Sequence, residues 1–77
     1  MKFSQQHLDE LNLLLQFDIG SAATGIKVHT DASDAAQSAA QRLFEKQLCT
    51  QPDGGYLTNE GIAMAEQADR LLRVLSA

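Results

Sequence analysis

The sequence predicts a mainly α fold of the α+β class, with three main helices and a short β-hairpin between the second and third. Three observations predict it. Apolar residues recur at helical spacing in three segments, each headed by a residue able to cap a helix. A Pro52-Asp53-Gly54-Gly55 turn separates two short runs that carry apolar residues. At 77 residues, the chain has the length of one small domain, residues 1–77.

The first helix begins after Ser4, whose hydroxyl suits an N-cap. Leu8, Leu11, Leu14 and Leu15 then form a stripe, and Phe17 and Ile19 close the helix end. Gly20 and Gly25 break the next segment, and Ser21 to Thr24 can form a single helical turn between them. Ile26 and Val28 alternate with Lys27 and His29, the pattern of a short, half-buried edge strand.

The second helix is expected to start near Thr30 or Asp31 and to run to about Gln47. Asp31 and Asp34 supply a side-chain cap and a carboxylate at the positive end of the helix dipole. Ala32, Ala35, Ala36, Ala39, Ala40, Leu43 and Phe44 form its inner face. Ser33, Gln37, Ser38, Gln41, Glu45 and Lys46 face out.

In the hairpin, Pro52 sets φ for the first corner of the turn, Asp53 suits the second, and Gly54 takes a left-handed bulge conformation. A three-residue loop places Gln51 opposite Gly55, Thr50 opposite Tyr56, Cys49 opposite Leu57 and Leu48 opposite Thr58. Cys49 and Leu57 then point inward.

Thr58 caps the third helix, Asn59 to about Leu75. Its apolar set is Ile62, Met64, Ala65, Ala68, Leu71, Leu72 and Leu75, and two acid-first i,i+4 pairs support it, Glu66–Arg70 and Asp69–Arg73. That set is wider than one neighbouring element needs. The surplus predicts self-association, with Met64, Leu71, Leu72 and Leu75 at a homodimer interface.

Ten acids against six bases give a formal charge of −4, so no overall field attracts phosphate. Cys49 is the lone cysteine, which excludes an internal disulfide and argues against a cysteine-based zinc site. The N-terminus lacks the apolar core and small-residue cleavage site of a signal peptide. No run approaches the roughly 18 apolar residues of a membrane span. A cytoplasmic location is expected.

Chemistry-bearing residues are few. His7 sits in the first turn of a helix and His29 just before another; His29, Asp31 and Cys49 have no metal-ligand spacing. Cys49 needs a neighbouring base to act as a nucleophile, and the hairpin register turns it into the core. Asp31 and Asp34 are explained by capping. Tyr56, on the outer face of the hairpin, suits either a contact or simple packing on Thr50. The PDGG turn does not lead into a helix, as a phosphate cradle does. No enzyme activity, cofactor, metal or small-molecule substrate is expected, and the function indicated is a regulatory or protein-interaction module.

The order of helix, then LFEKQLCTQPDGGYLTNEG, then amphipathic helix resembles the second half of a winged-helix regulator of the MarR and PadR types. In those families a recognition helix ends in a pattern close to L-x-x-K-G-L-I. A hairpin wing comes next, and a Leu-Thr-x-x-Gly motif opens a dimerising helix. Leu43, Lys46, Leu48, Leu57, Thr58 and Gly61 occupy those places, while Gln47 stands at the glycine position. Over roughly residues 31–75 the resemblance implies a shortened winged-helix-like domain. The whole chain, with GIKVH and TQPDGGYLT, also resembles a family of short uncharacterised bacterial proteins of about this length.

The winged-helix resemblance implies a second function, a DNA-binding transcriptional regulator using the helix at about residues 31–47 and the wing. Gln37, Gln41, Arg42 and Lys46 are its contact residues. The charge pattern opposes it. Two aspartates lie at the end of the helix that approaches a duplex, and QPDGG offers no cation to a groove. The expected partner is a second copy of the chain or another protein.

Overall fold

Helix boundaries obey local capping chemistry. Ser4 Oγ accepts the His7 backbone N–H at 3.3 Å, and His7 Nδ1 accepts the Ser4 N–H at 3.1 Å. This reciprocal box opens α1 (Gln5–Leu14) where the sequence predicts. The structure is a computed structural model that describes residues 1–21 and 23–77. Ala22, inside the turn expected at 21–24, lies outside the described residues; Thr24 N–H donates to the Ser21 carbonyl at 3.0 Å.

The core-facing stripe of α1 differs from the expected one. Glu10, Leu13, Leu14 and the following Phe17 are buried, whereas Leu8 is exposed and Leu11 and Leu15 are half-buried. Positions 10, 13, 14 and 17 form a complete i, i+3, i+4, i+7 set. Its first member is a carboxylate, so a purely apolar reading misses Glu10 and rotates the stripe. Ile19 is exposed.

Chain pairing brings β1 (Ile26–Lys27) alongside the hairpin. Ile26 and Val28 are half-buried against the core while Lys27 and His29 are exposed, as the alternation predicts. The second helix, α2 (Asp34–Glu45), starts later than expected. Ser33 is its cap, with Oγ accepting the Ala36 N–H at 3.1 Å, and Asp31 precedes it in a turn closed by Ala32 N–H donating to the His29 carbonyl. Its buried stripe is Ala39, Ala40 and Leu43, with Ala36 half-buried. Ala35 is exposed and Phe44 is 37% exposed, so neither fills the inner position assigned to it.

At the end of α2, Leu48 N–H donates to the Leu43 carbonyl at 2.9 Å and Gln47 N–H to that of Phe44 at 3.0 Å. This is the paired closure that needs a left-handed residue after the cap, and Gln47 takes it with φ 63°. A side chain there costs roughly 1–2 kcal/mol; a glycine would relieve that strain but lose about half of the gain through its freer unfolded chain. Gln47→Gly should therefore raise stability by about 0.5–1 kcal/mol, read as a higher midpoint in denaturant. An unchanged or lower midpoint would show that the exposed Gln47 side chain contributes where no contact is seen.

The hairpin joins β2 (Cys49–Gln51) to β3 (Gly54–Leu57), giving a three-stranded antiparallel sheet in the order β1-β3-β2. Cys49 pairs with Leu57 as expected, and both pack inward. Nearer the turn the register shifts, so that Gln51 pairs with Gly54 in place of Gly55. Gly54 (φ 120°) and Gly55 (φ 73°) both adopt left-handed backbone, so one extra residue is absorbed on the β3 side. Tyr56 N–H donates to Thr50 Oγ1 at 3.0 Å, which holds the two residues across the strands.

Thr58 opens α3 (Asn59–Ser76) and links three elements. Its Oγ1 accepts the Gly61 N–H at 3.0 Å and its hydroxyl donates to the Gln47 carbonyl at 2.6 Å. Its N–H donates to the Leu48 carbonyl at 3.1 Å. The first half of α3 buries Gly61, Ala65 and Ala68 against a core of Leu13, Leu14, Phe17, Ala39, Ala40, Leu43 and Cys49. Asp69 and Arg73 pair at 2.8 Å, whereas Glu66 and Arg70 form no ion pair among the described residues. The result is a mixed α+β arrangement of three helices and a small sheet, consistent with a shortened winged helix.

Candidate functional site

The third helix does not end where its packing ends. Eighteen residues at about 1.5 Å each carry α3 roughly 27 Å, and its last two turns run past the core. Positions 61, 64, 65 and 68 line the buried stripe; 68, 71, 72 and 75 continue it with the same spacing. Leu71, Leu72 and Leu75 on that continuation are 40%, 50% and 75% exposed. Met64, at the inner end, is half-buried against the core.

Beside this stripe lies an apolar groove of about 650 Å³ between the start of α1 and the middle of α3. Phe3, Leu11 and Leu14 form one wall, Met64 and Leu71 the other, with His7 at the rim. Phe3 is 62% exposed and meets the His7 ring edge-on, centroids 6.2 Å apart. The structure thus brings Met64 and Leu71 to one surface with Phe3 and Leu11. Helical periodicity alone assigns Leu11 to the core and passes over Phe3. The signal for Phe3 is its place just ahead of the Ser4 cap, where an apolar residue packs over the first turn.

The four residues expected at a nucleic-acid contact lie on or beside α2, and each has an intramolecular partner. Gln37 Nε2 donates to the carbonyls of Thr30 and Ala32 at 3.1 and 2.8 Å, closing the loop ahead of the helix. Gln41 Nε2 donates to Glu45 at 3.4 Å. Arg42 Nε reaches Glu10 Oε2 at 3.3 Å, and Lys46 Nζ reaches Glu10 Oε1. Arg42 and Lys46 stand four apart, one helical turn, so both converge on the carboxylate that α1 buries beneath them. The trio sums to a single positive charge. A polar cleft of about 570 Å³ between α2 and the hairpin is lined by Gln37, Gln41, Lys27, His29 and Asp53. There Lys27 pairs with Asp53 at 3.7 Å.

Cys49 is 3% exposed, with its thiol 3.3 Å from the Gln51 carbonyl and 3.9 Å from that of Ala40. Burial pushes its pKa above the ordinary thiol value, and the nearby Asp53 carboxylate adds to the rise against a lowering hydrogen bond from Gln51. The protonated form is therefore the one the fold favours. Above about pH 8.5 the unfolded chain ionises first, and stability falls as pH rises between the two values. Unfolding curves above about pH 8.5 should show this fall in the native chain and less of it in Cys49→Ala. A thiol reagent should label Cys49 at the rate of unfolding; rapid labelling of native protein would contradict the burial.

Among the described residues no three His, Cys, Asp or Glu side chains converge as a metal site requires, and no helix is long and apolar enough to cross a membrane. Fold and surface together define a small α+β protein, winged-helix-like in arrangement, with an exposed apolar stripe at the end of α3. Residues 1–76 match a family of unknown function (DUF5669), and the chain belongs to that family. No curated protein and no solved structure matches it.

Proposed function

We propose that this chain is a small regulatory or protein-interaction module that acts by binding and not by catalysis, pairing with a second copy through α3. The single observation that carries the reading is the stripe of Leu71, Leu72 and Leu75, which repeats the core spacing of α3 beyond the core itself. A stripe of this regularity serves no purpose in water, since polar residues at those positions leave the helix equally well formed. Burying three half-exposed leucines recovers roughly 2–5 kcal/mol, at about 1.5–3 kcal/mol for each fully buried side chain. That is less than association costs, so further apolar surface must join them. The placement of His7 and Cys49 supports a non-catalytic role: His7 completes the Ser4 cap and Cys49 is buried.

Leu72→Asp tests the reading. Leu72 lies outside the core, so the fold should hold while sedimentation moves from dimer to monomer. A native chain that remains monomeric at high concentration overturns the proposal. The second reading, duplex binding through Gln37, Gln41, Arg42 and Lys46, draws support from the polar cleft where α2 meets the hairpin. It predicts affinity that falls steeply with salt. The internal pairing of all four residues and the charge of −4 weigh against it.

A further inference from the structure

We infer that the groove between α1 and α3 is the seat for the exposed half of α3 from a second copy, so that two copies exchange helix ends across a two-fold axis. This seat rests on the pairing proposed above and adds where the partner helix lies. Three features support it. The groove wall formed by Met64 and Leu71 is the inner end of the same stripe whose outer end, Leu72 and Leu75, is uncovered, so seat and occupant are one continuous surface. Both parts belong to every copy, so a single two-fold axis fills two grooves and covers two stripes at once. The third feature is area. A stable pair buries on the order of 800 Å² per partner, about one seventh of the 5348 Å² surface of this chain. The three leucines alone fall well short of that. Phe3 (62% exposed) and the other residues lining the groove, Leu11 and Met64 among them, add to the surface that pairing would cover. Seating the helix end in the groove buries the stripe and the N-terminal aromatic together, which packing α3 on α3 alone does not.

The arrangement makes Phe3, on the far wall, an interface residue although it is some 70 positions from Leu75. Two measurements test it. In a mixture of isotope-labelled and unlabelled native chain, intermolecular NMR contacts should link the Leu72 and Leu75 methyls of one copy to Phe3 and Leu11 of the other. Phe3→Glu, at an exposed site ahead of the first helix, should weaken self-association at least about tenfold while circular dichroism stays unchanged. A dimer whose intermolecular contacts stay within α3, or one indifferent to Phe3→Glu, overturns the groove seat and leaves the pairing intact. A native chain that sediments as a monomer overturns both.

Discussion

Gly61→Ala should lower the thermal midpoint by about 10 °C or more. The gain and the loss from the added methyl can be compared directly. In a helix interior, alanine is favoured over glycine by about 1 kcal/mol. Against this, a Cβ at position 61 overlaps the Leu48 carbonyl oxygen and lies 2.9 Å from the Leu48 carbonyl carbon and 3.1 Å from Leu57 Cδ2. The Leu48 carbonyl has no easy retreat, because it accepts the Thr58 N–H and comes directly after the closure of α2. Relieving the overlap moves α3 off the hairpin and loosens the three bonds that converge on Thr58. Overpacking costs about 1–3 kcal/mol, and a collision with rigid backbone reaches the upper end of that range or beyond. A net loss of about 2 kcal/mol or greater therefore remains after the gain of about 1 kcal/mol. A chain of this length has roughly 4–12 kcal/mol in all, and each kcal/mol moves the midpoint by about 4–8 °C. A thermal melt that matches or exceeds that of the native chain would show that α3 sits farther from the hairpin. The same contact explains why a glycine stands in the Leu-Thr-x-x-Gly pattern here: it is a clearance between helix and strand.

Glu10→Ala should destabilise the fold by about 1–3 kcal/mol. Its carboxylate belongs to a residue 7% exposed and accepts from both Arg42 and Lys46. The two partners differ in what they lose. The Lys46 side chain is 52% exposed and returns to water, so its pair is worth under about 1 kcal/mol. The Arg42 side chain is 23% exposed and keeps only a long 3.5 Å contact with the Gln6 carbonyl, leaving a half-buried cation poorly paired. The order of effects expected in denaturant unfolding is therefore Glu10→Ala larger than Lys46→Ala, with Arg42→Ala partly suppressing the Glu10→Ala loss in a double-mutant cycle. Additive losses in that cycle would mean that Glu10 stabilises through something other than Arg42.

Features that depend on neighbouring residues were legible in the sequence. The Ser4 and Thr58 caps, the Pro52–Gly55 reversal, the Cys49–Leu57 pairing, the alternation at Ile26–His29 and the extent of α3 rest on side chains reaching backbone groups three or four positions away, or on the φ that proline and glycine permit. The start of α2 is the instructive failure of this kind. Asp31 and Ser33 are both competent caps, and Gln37 decides between them by reaching back to the Thr30 and Ala32 carbonyls. No two-residue signal carries that choice.

The candidate site was half legible. Leu71, Leu72 and Leu75 announced themselves as surplus apolar surface on α3, but the Phe3 and Leu11 wall did not, because a groove exists only once α1 and α3 lie side by side. The residues expected at a nucleic-acid contact show the converse. Gln37, Arg42 and Lys46 read as free on an isolated helix, yet the adjoining loop or Glu10 of α1 occupies them, while Gln41 meets Glu45 within its own helix.

By itself, then, the sequence determined most of the points where helices and the hairpin begin and end, since capping and turn chemistry act within a few residues. Only the tertiary structure decided which face of α1 is buried, that β3 and not β2 lies in the middle of the sheet, and that a carboxylate from α1 holds Arg42 and Lys46. The last of these joins residues more than thirty positions apart, where a charged side chain becomes a core residue once its counter-charges arrive from another helix.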